Sequence, residues 1–223
     1  MTNSITRWLA LGVIASALLG LSACGGGGGG HRDPPEVITQ IDSDPAFDGD
    51  VEQTDSSSYT VTQGMSDSVQ SVLVGIDPVA GTEFRTFLDF PLGGSSGVPS
   101  HAIIQSAYLE IYVNDLEPAS GVLPLLVDLV GFQPPTLVGT DFDRDLQPPL
   151  ASTTLSLSSD DIGRYVTVDV TDLMIAAQQS GLPDFQVRIL EDLGPPIDVL
   201  ASINDSTGPD RPDVAPVLTV TYF

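Results

Sequence analysis

Positive charge, cysteine, tryptophan and histidine are scarce in this sequence, and lysine is missing altogether. The chain has one cysteine, one tryptophan and two histidines, so it can form no intrachain disulfide and offers few ligands for a zinc centre. Seven arginines stand against 30 acidic residues, which gives a formal net charge of −23. So acidic a surface repels nucleic acids and anionic membranes. It also argues against strong binding of anionic polysaccharides, unless a divalent cation bridges the two.

The first 23 residues have the layout of an export signal. Arg7 provides the positive start, and Trp8 to Gly20 form an apolar run that is too short to span a bilayer comfortably. The run closes as Leu21-Ser22-Ala23-Cys24, which resembles the lipobox of bacterial lipoproteins. That resemblance implies cleavage before Cys24, acylation of this cysteine and attachment to a lipid bilayer through the acyl chains. An ordinary secreted protein with an incidental cysteine is the alternative.

The segment from Cys24 to residue 57 is predicted to be a flexible linker. Gly25 to Gly30 follow the cysteine, and a polar, acidic and proline-containing stretch comes next. Glycine at position 25, in place of aspartate, resembles the default for the outer membrane of Gram-negative bacteria. It leaves open whether the domain faces the periplasm or the exterior. Cleavage would leave six arginines and 30 acidic residues, a formal charge of −24.

Residues 58–223 have the alternating apolar pattern of an all-β domain. Short segments rich in β-branched and aromatic residues are separated by glycine, proline and acidic turns. The predicted strands are 58–63, 69–76, 83–90, 103–113, 122–132, 153–157, 165–170, 185–190, 197–203 and 217–222. Thr171 or Asp172 can cap one short helix, and Gly181 can end it. The pattern predicts a two-sheet antiparallel jelly-roll sandwich with one short helix.

The order of several segments resembles the DNRLRE domain family. Arg85-Thr86-Phe87-Leu88-Asp89-Phe90 is an arginine-led strand ending in Phe, and Ile104 to Val113 follows with Ser-Ala and alternating Leu and Tyr. Later segments in the same order are Val168–Leu173, Phe185–Ile189 and Leu218–Tyr222. The resemblance covers about residues 58 to 223 and implies an exported jelly-roll module, related to carbohydrate-binding modules and without catalytic activity. The chain departs from the family in the glycine-serine stretch Gly93–Gly97 and the acidic excursion Pro134–Pro149.

Signals for catalysis are weak. His31 lies in the predicted linker, so His101 is the single histidine of the predicted domain, and no Ser-His-Asp set or phosphate-binding loop can be assembled. Glycosidases use two carboxylates, but acidic residues are so abundant here that no pair stands out. We therefore predict that the protein is not an enzyme.

Calcium is the cofactor that the sequence favours, because hard cations bind several oxygens from one loop. One candidate loop contains Asp141, Asp143 and Asp145 at alternate positions, although it lacks the glycine and the final acid of an EF-hand. A second candidate loop contains Asn204, Asp205 and Asp210. A third combines Asp42 and Asp44 with Asp48 and Asp50. For each loop, solvated surface acids are the alternative.

Aromatic rings that could stack on sugars are few, since Trp8 falls in the export signal. Tyr108, Tyr112 and Tyr165 are the candidate ligand-binding residues, with packing in the core as the alternative. We expect a membrane-anchored, non-catalytic surface module that binds an extracellular partner such as a neutral glycan. The competing expectation is a structural or adhesion lipoprotein that binds a surface protein, and a polysaccharide-active enzyme is third.

Overall fold

The computed structural model describes residues 35–132 and 136–223. Cys24, the signal segment and the glycine run lie outside these residues, as do Pro134 and Pro135 of the acidic excursion. The expectations for Cys24 and for the export signal therefore stay predictions. Within the described part of the chain, no helix combines the length and hydropathy needed to cross a membrane.

Twelve strands and two short helices make up the described residues. The strands are β1 (Val37–Asp42), β2 (Gly49–Asp55), β3 (Ser58–Gln63), β4 (Ser71–Ile76), β5 (Glu83–Pro91), β6 (Ile104–Glu117), β7 (Val122–Val130), β8 (Ala151–Ser158), β9 (Arg164–Asp169), β10 (Asp184–Glu191), β11 (Leu200–Asn204) and β12 (Val217–Tyr222). The helices are α1 (Thr171–Gln179) and α2 (Arg211–Val214), and 3₁₀ turns cover Gly139–Phe142 and Ser159–Asp161. Each of the strand pairs is antiparallel.

The strands form one curled sheet whose two halves make the layers of a sandwich-like fold. In the first layer, β6 is central and pairs with β9 along one edge. Along its other edge, β6 pairs with β12 through its first half and with β11 through its second half. Strand β1 pairs with the far edge of β12, and β4 pairs with the far edge of β11. In the second layer the order is β3-β2-β5-β10-β7-β8. The two layers are joined where β4 pairs with β5.

Gly75 marks the corner between the layers. It pairs with Leu200 of β11 and with Phe84 of β5, and its φ of 109° lies in the left-handed region. A side chain at this position would place its Cβ 2.2 Å from the carbonyl oxygen of Val199. Glycine is therefore required here for both the backbone angle and the close approach of the neighbouring chain.

Alternation along the strands puts one face of each layer into a shared core. On β6, Ala107, Leu109, Ile111 and Val113 are fully buried, whereas Tyr108 between them is exposed. The core also takes fully buried side chains from the facing layer, including Leu88, Phe90, Leu125, Val127, Phe185, Val187 and Ile189. Removing these apolar surfaces from water is the main favourable contribution to folding.

The predicted all-β class and the predicted helix are confirmed. The ten predicted strands correspond to β3–β12, and two of them, Ser58–Gln63 and Val217–Tyr222, have the predicted bounds. Helix α1 begins at Thr171, and Gly181, with a φ of 65°, follows its end. The helix buries Leu173, Met174 and Ala177 against the core.

The predicted linker, which extended to residue 57, is too long. Residues assigned to it form β1 and β2, and β2 is paired on both edges, with β3 and with β5. Val51 is fully buried, and so are the carboxyl-bearing residues Asp48 and Asp50. The acidic residues suggested a solvated segment, but they bond to the backbone of neighbouring strands. Among the described residues, the folded domain therefore includes β1 and β2 as well as the strands from Ser58 onward.

This boundary can be tested by truncation. A chain that begins at residue 58 lacks β1 and β2, so it should lose about 5 kcal/mol or more of its free energy of unfolding, a loss comparable to the whole stability of a small domain. A chain that begins at residue 35 should unfold cooperatively near the temperature of the longer chain. Thermal unfolding followed by circular dichroism measures both. Cooperative unfolding of the shorter chain at that same temperature would show that the domain begins at residue 58.

Candidate functional site

The outer face of the first layer carries the three tyrosines that the sequence singled out. Tyr108 and Tyr112 lie on β6, where they alternate with buried core residues and so point away from the core. Tyr165 lies on β9 and is paired directly with Tyr112. The rings of Tyr112 and Tyr165 meet edge to face, with centroids 5.4 Å apart. The structure thus brings all three tyrosines to one face of the sheet.

Tyr108 lies in a polar cleft of about 480 Å³ beside the start of α1. The ring is on the surface, with 41% of the residue exposed. The cleft is lined by an amide, several hydroxyls and two carboxylates, from Gln105, Ser106, Ser152, Thr153, Asp169, Thr171 and Asp172. An exposed aromatic ring with hydrogen-bonding groups around it is the combination that binds the apolar face and the hydroxyls of a sugar.

Asp169 is held in an ionised state at the edge of this cleft. Its Oδ1 atom accepts a hydrogen bond from the Thr171 hydroxyl at 2.6 Å and another from the Thr171 backbone N–H at 2.9 Å. These two hydrogen bonds lower the pKa of the Asp169 carboxyl. The cleft therefore presents a fixed negative charge, which disfavours acidic sugars as ligands.

Tyr112 and Tyr165 occupy a different position from Tyr108. Tyr112 is four residues further along β6, a distance of roughly 13 Å in a strand. The hydroxyl of Tyr165 donates a hydrogen bond to the carbonyl oxygen of Ala215 at 3.1 Å, which ties β9 to the segment before β12. Burial of this hydroxyl is the main cause of the raised pKa of Tyr165. The Tyr112–Tyr165 pair is thus partly engaged within the protein, and of these three tyrosines Tyr108 is the one that lines the polar cleft.

A larger and more apolar cleft, of about 540 Å³, lies where the glycine-serine stretch meets the end of α1. Leu92, Val98, Met174, Leu182 and Tyr222 are among the residues that line it. The Gln178 amide, which also borders it, donates to the carbonyl oxygens of Pro99 and Ala102 and so braces the loop against the helix. No candidate ligand-binding residue from the sequence lies in this cleft.

The first predicted calcium loop does not bring its three carboxylates together. Asp141 is buried, and its Oδ2 atom accepts the backbone N–H of Val138 at 2.8 Å. Asp143 accepts the backbone N–H of Asp145 at 2.7 Å, and Asp145 itself is exposed. Each of the first two carboxylates therefore caps its own turn. Across residues 35–132 and 136–223, the structure has no group of three or more His, Cys, Asp or Glu side chains placed to hold a metal ion.

The first predicted calcium loop belongs to the acidic excursion, of which residues 136–149 are described. These residues cover the outer face of the second layer. Phe142 packs with Val51, Phe87 and Phe132 in a second apolar cluster, apart from the main core. Beside it, Arg188 is completely buried in the middle of β10. Its guanidinium donates to Asp128 at 3.0 Å and to the carbonyl oxygens of Asp141 and Gln147 at 2.7 and 3.1 Å. Arg188 therefore connects the excursion to the middle of the sheet.

Asp128, on β7, is the counter-ion of this arrangement and was not singled out from the sequence. It is fully buried. Its carboxylate also forms an ion pair with Arg144 at 2.9 Å and accepts a hydrogen bond from the Ser152 hydroxyl at 2.6 Å. Burial is the largest influence on the pKa of Arg188, which it lowers, and Asp128 opposes that effect. The sequence contained one signal for this ion pair, because each of two mainly apolar segments has one charged residue inside it. These are Asp128 in VLPLLVDLV and Arg188 in FQVRIL.

Substitution of Asp128 tests the importance of this anchor. Asp128→Asn would leave Arg188 buried without a counter-ion, so the free energy of unfolding should fall by about 3–5 kcal/mol. Asp160→Asn, at an exposed acid, should change it by less than about 0.5 kcal/mol. Denaturant-induced unfolding measures both variants. Equal stability of the two variants would show that the excursion is held without the charge of Asp128, by its apolar contacts and its remaining hydrogen bonds.

The second and third predicted calcium loops meet in the structure, although they are far apart in the chain. The Ser43 hydroxyl lies 3.3 Å from Oδ1 of Asp205, a contact between residues 162 positions apart. Arg211 donates to that same carboxylate oxygen at 2.8 Å and also contacts the Ser43 backbone. Asp48, from the third loop, reaches the carboxyl group of Asp205. We call Ser43, Asp48, Asp205 and Arg211 the terminal junction, because they join the two ends of the described chain.

Other members of these two loops have separate roles. Asn204 bonds to the Asn114 amide at 3.0 Å and to the backbone N–H of Ser206. Asp210 precedes α2 and is exposed. Asp42 and Asp44 lie towards the surface, and Asp50 accepts the backbone N–H of Leu73 at 3.2 Å. Burial raises the pKa of Asp50 to about 7. These side chains do not converge with Asp48 and Asp205 on one point.

Asp48 and Asp205 are both completely buried. Burial, followed by the charge of Asp205, raises the pKa of Asp48 well above its ordinary value. Burial also raises the pKa of Asp205, while the hydrogen bond from Arg211 acts in the opposite direction. Oδ1 of Asp48 accepts the backbone N–H of Asp89 at 2.7 Å. A hydrogen bond between the carboxyl groups of Asp48 and Asp205 also raises the pKa of Asp48 and lowers that of Asp205.

No protein-family model and no curated protein matches this chain.

Proposed function

We propose that this chain is a lipid-anchored, non-catalytic binding module whose polar cleft at Tyr108 takes a neutral glycan. The observation that carries the proposal is the exposed Tyr108 ring in a cleft lined with hydroxyl, amide and carboxylate groups. The arrangement supports stacking on a pyranose ring together with hydrogen bonds to its hydroxyls. The resemblance of residues 58–223 to DNRLRE domains favours the same class of ligand.

The charge of the protein favours a neutral ligand over an acidic one. Among the described arginines, Arg85, Arg144, Arg188 and Arg211 each form an ion pair with an acidic residue of the same chain. Arg164 is the other arginine in the described ranges, and it is exposed on β9. The cleft itself contains no basic residue among those that line it. An acidic polysaccharide would therefore meet uncompensated carboxylates.

Glycan binding can be tested on arrays of neutral and acidic oligosaccharides. The wild-type protein should retain neutral glycans, and Tyr108→Ala should weaken that binding about tenfold, which corresponds to about 1.4 kcal/mol. Tyr165→Phe is the matched control, because it alters a tyrosine on the same face that lies outside the cleft. Equal retention by the wild type and Tyr108→Ala would place the glycan elsewhere. No retention of any neutral glycan would refute the proposal.

The anchor is tested separately at Cys24. The wild-type chain, expressed in a Gram-negative host, should sediment with membranes and carry an acylated amino-terminal cysteine. Cys24→Ser should abolish acylation and release the domain from the membrane fraction. Mass spectrometry of the amino-terminal peptide measures the modification. An unmodified Cys24 in the wild-type protein, or a retained export signal, would contradict the anchor.

A protein partner is the second candidate. Exposed apolar residues near the edge of β1 that pairs with no other strand in the described part of the chain favour it. Ile38 on β1 is 65% exposed, and Ile103, which pairs with the final residue Phe223, is 64% exposed. Unpaired strand edges with exposed apolar side chains are sites at which another chain can add a strand. Two results together would favour a protein partner over a glycan. The arrays would show no retained glycan, and a surface protein would co-purify with the wild type but not with Ile38→Asp.

A further inference from the structure

The larger cleft, beside the glycine-serine stretch and the end of α1, carries no charge. Its volume of about 540 Å³ falls within the range of about 300–1,000 Å³ that is usual for ligand sites. Among the described residues that line it, none is acidic or basic, although the chain has a net charge of −23. We call it the apolar cleft. A cavity of this size without charge suits an uncharged, apolar ligand group, because a charged group would lose its hydration there without replacement.

Several polar groups of the apolar cleft already bond to each other. The Gln178 amide donates to the carbonyl oxygen of Pro99 at 3.1 Å. The backbone N–H of Leu92 donates to the carbonyl oxygen of Pro183 at 3.1 Å, and the N–H of Val98 donates to that of Leu92 at 3.0 Å. A peptide or a sugar would bring hydrogen-bonding groups that need partners in the cleft, whereas an alkyl chain brings none. These contacts therefore favour an alkyl chain as the occupant.

Exposed apolar side chains lie beside the apolar cleft, near its residue Tyr222. Val37 pairs with Tyr222, and Ile38 is the next residue of β1. Phe223 follows Tyr222 and exchanges backbone hydrogen bonds with Ile103. All four of these apolar residues are exposed. An apolar patch on the surface commonly marks a site of contact with a membrane or another protein. We call the apolar cleft and these four side chains the apolar end of the domain.

The described domain also begins at its apolar end, because β1 starts at Val37. The proposed anchor at Cys24 lies 13 residues before Val37. A chain of that length spans at most about 45 Å. An anchor at Cys24 would therefore keep the apolar end close to the bilayer and raise the effective concentration of bilayer lipid at the cleft. Among apolar occupants, this position favours a membrane lipid over another protein.

We propose that the apolar cleft binds one acyl chain of a zwitterionic bilayer lipid and so docks the domain on the membrane. The alkyl chain packs against the buried side chains of Leu92, Val98 and Met174. The bilayer as source of the lipid rests on the proposed anchor at Cys24, whereas the fit of an alkyl chain to the cleft does not. Glycan binding remains compatible with this docking, because the polar cleft at Tyr108 shares no lining residue with the apolar cleft.

The surroundings of the apolar cleft favour a zwitterionic headgroup over an anionic one. Ser95 and Ser100 line the cleft and are exposed, so their hydroxyls can bond to a headgroup. Glu36 immediately precedes β1, and Asp184 immediately follows the proline that lines the cleft. These acids disfavour an anionic headgroup, and His101, next to Ser100, could offset only one of their charges.

The test is photolabelling of the wild-type protein in phosphatidylcholine vesicles that contain phosphatidylcholine with a diazirine at the end of one acyl chain. Mass spectrometry should find the label on residues 92–100 and 174–183. Gly93→Asp adds a carboxylate to the wall of the cleft and should lower labelling about fivefold. Gly131→Asp is the matched control and should leave labelling unchanged, because it lies outside the cleft. Both glycines are exposed, and a Cβ at either meets no atom within 4 Å.

A second measurement separates the lipid site from the anchor. The full chain with Cys24→Ser should be labelled on the same two segments by a photoreactive dihexanoyl phosphatidylcholine below its micelle-forming concentration. An unmodified Cys24 in the wild type, together with this labelling, would refute the anchor but support the lipid site. Equal labelling of the wild type and Gly93→Asp, or label outside both segments, would overturn the proposal. Absence of labelling by either probe, with a co-purifying protein that Ile38→Asp releases, would assign the apolar end to a protein partner instead.

Discussion

The structure depends on the burial of one apolar face of each layer against the other. Strand β6 shows the constraint most clearly, because its alternate residues from Ala107 to Val113 are fully buried while the residues between them reach the surface. The same alternation that closes the core therefore also places Tyr108, Tyr112 and Tyr165 on the outer face. A displacement of the register by one residue would exchange the two faces and lose both the core and the tyrosine surface.

Four of the five arginines in the described residues form ion pairs within the domain. Arg188 and Arg144 meet at Asp128 beneath the acidic excursion, and Arg211 meets Asp205 where the two ends of the domain join. Buried ion pairs give little net stability over apolar packing, but they are costly to break and they fix one arrangement of the loops that they connect. In this chain they hold two irregular segments against a sheet whose own strands are already paired. On the described domain, Arg164 is the arginine that is exposed.

The acidic residues of the described domain include two structurally different groups. Those that cap turns, such as Asp143 and Asp169, bond to nearby backbone and need no ion. Of those that are buried, Asp128 and Asp205 are paired with arginines, and burial beside Asp205 raises the pKa of Asp48. Spacing in the sequence does not separate these groups, because both occur in short segments rich in aspartate. Burial separates them, and burial is a property of the folded chain.

The sequence alone determined the class of fold, because a period of two residues in apolar side chains is a local property that each strand carries by itself. It located β3–β12 and helix α1, but it assigned β1 and β2 to a linker, since β2 has a single apolar residue, Val51, and is recognisable only by its partners. Tertiary structure alone decided which polar residues meet. Asp48 with Asp205, and Asp128 with Arg188, lie far apart in the chain and become neighbours only when the layers close. Local patterns carry no information about such pairs, because their meeting depends on the path of the whole chain.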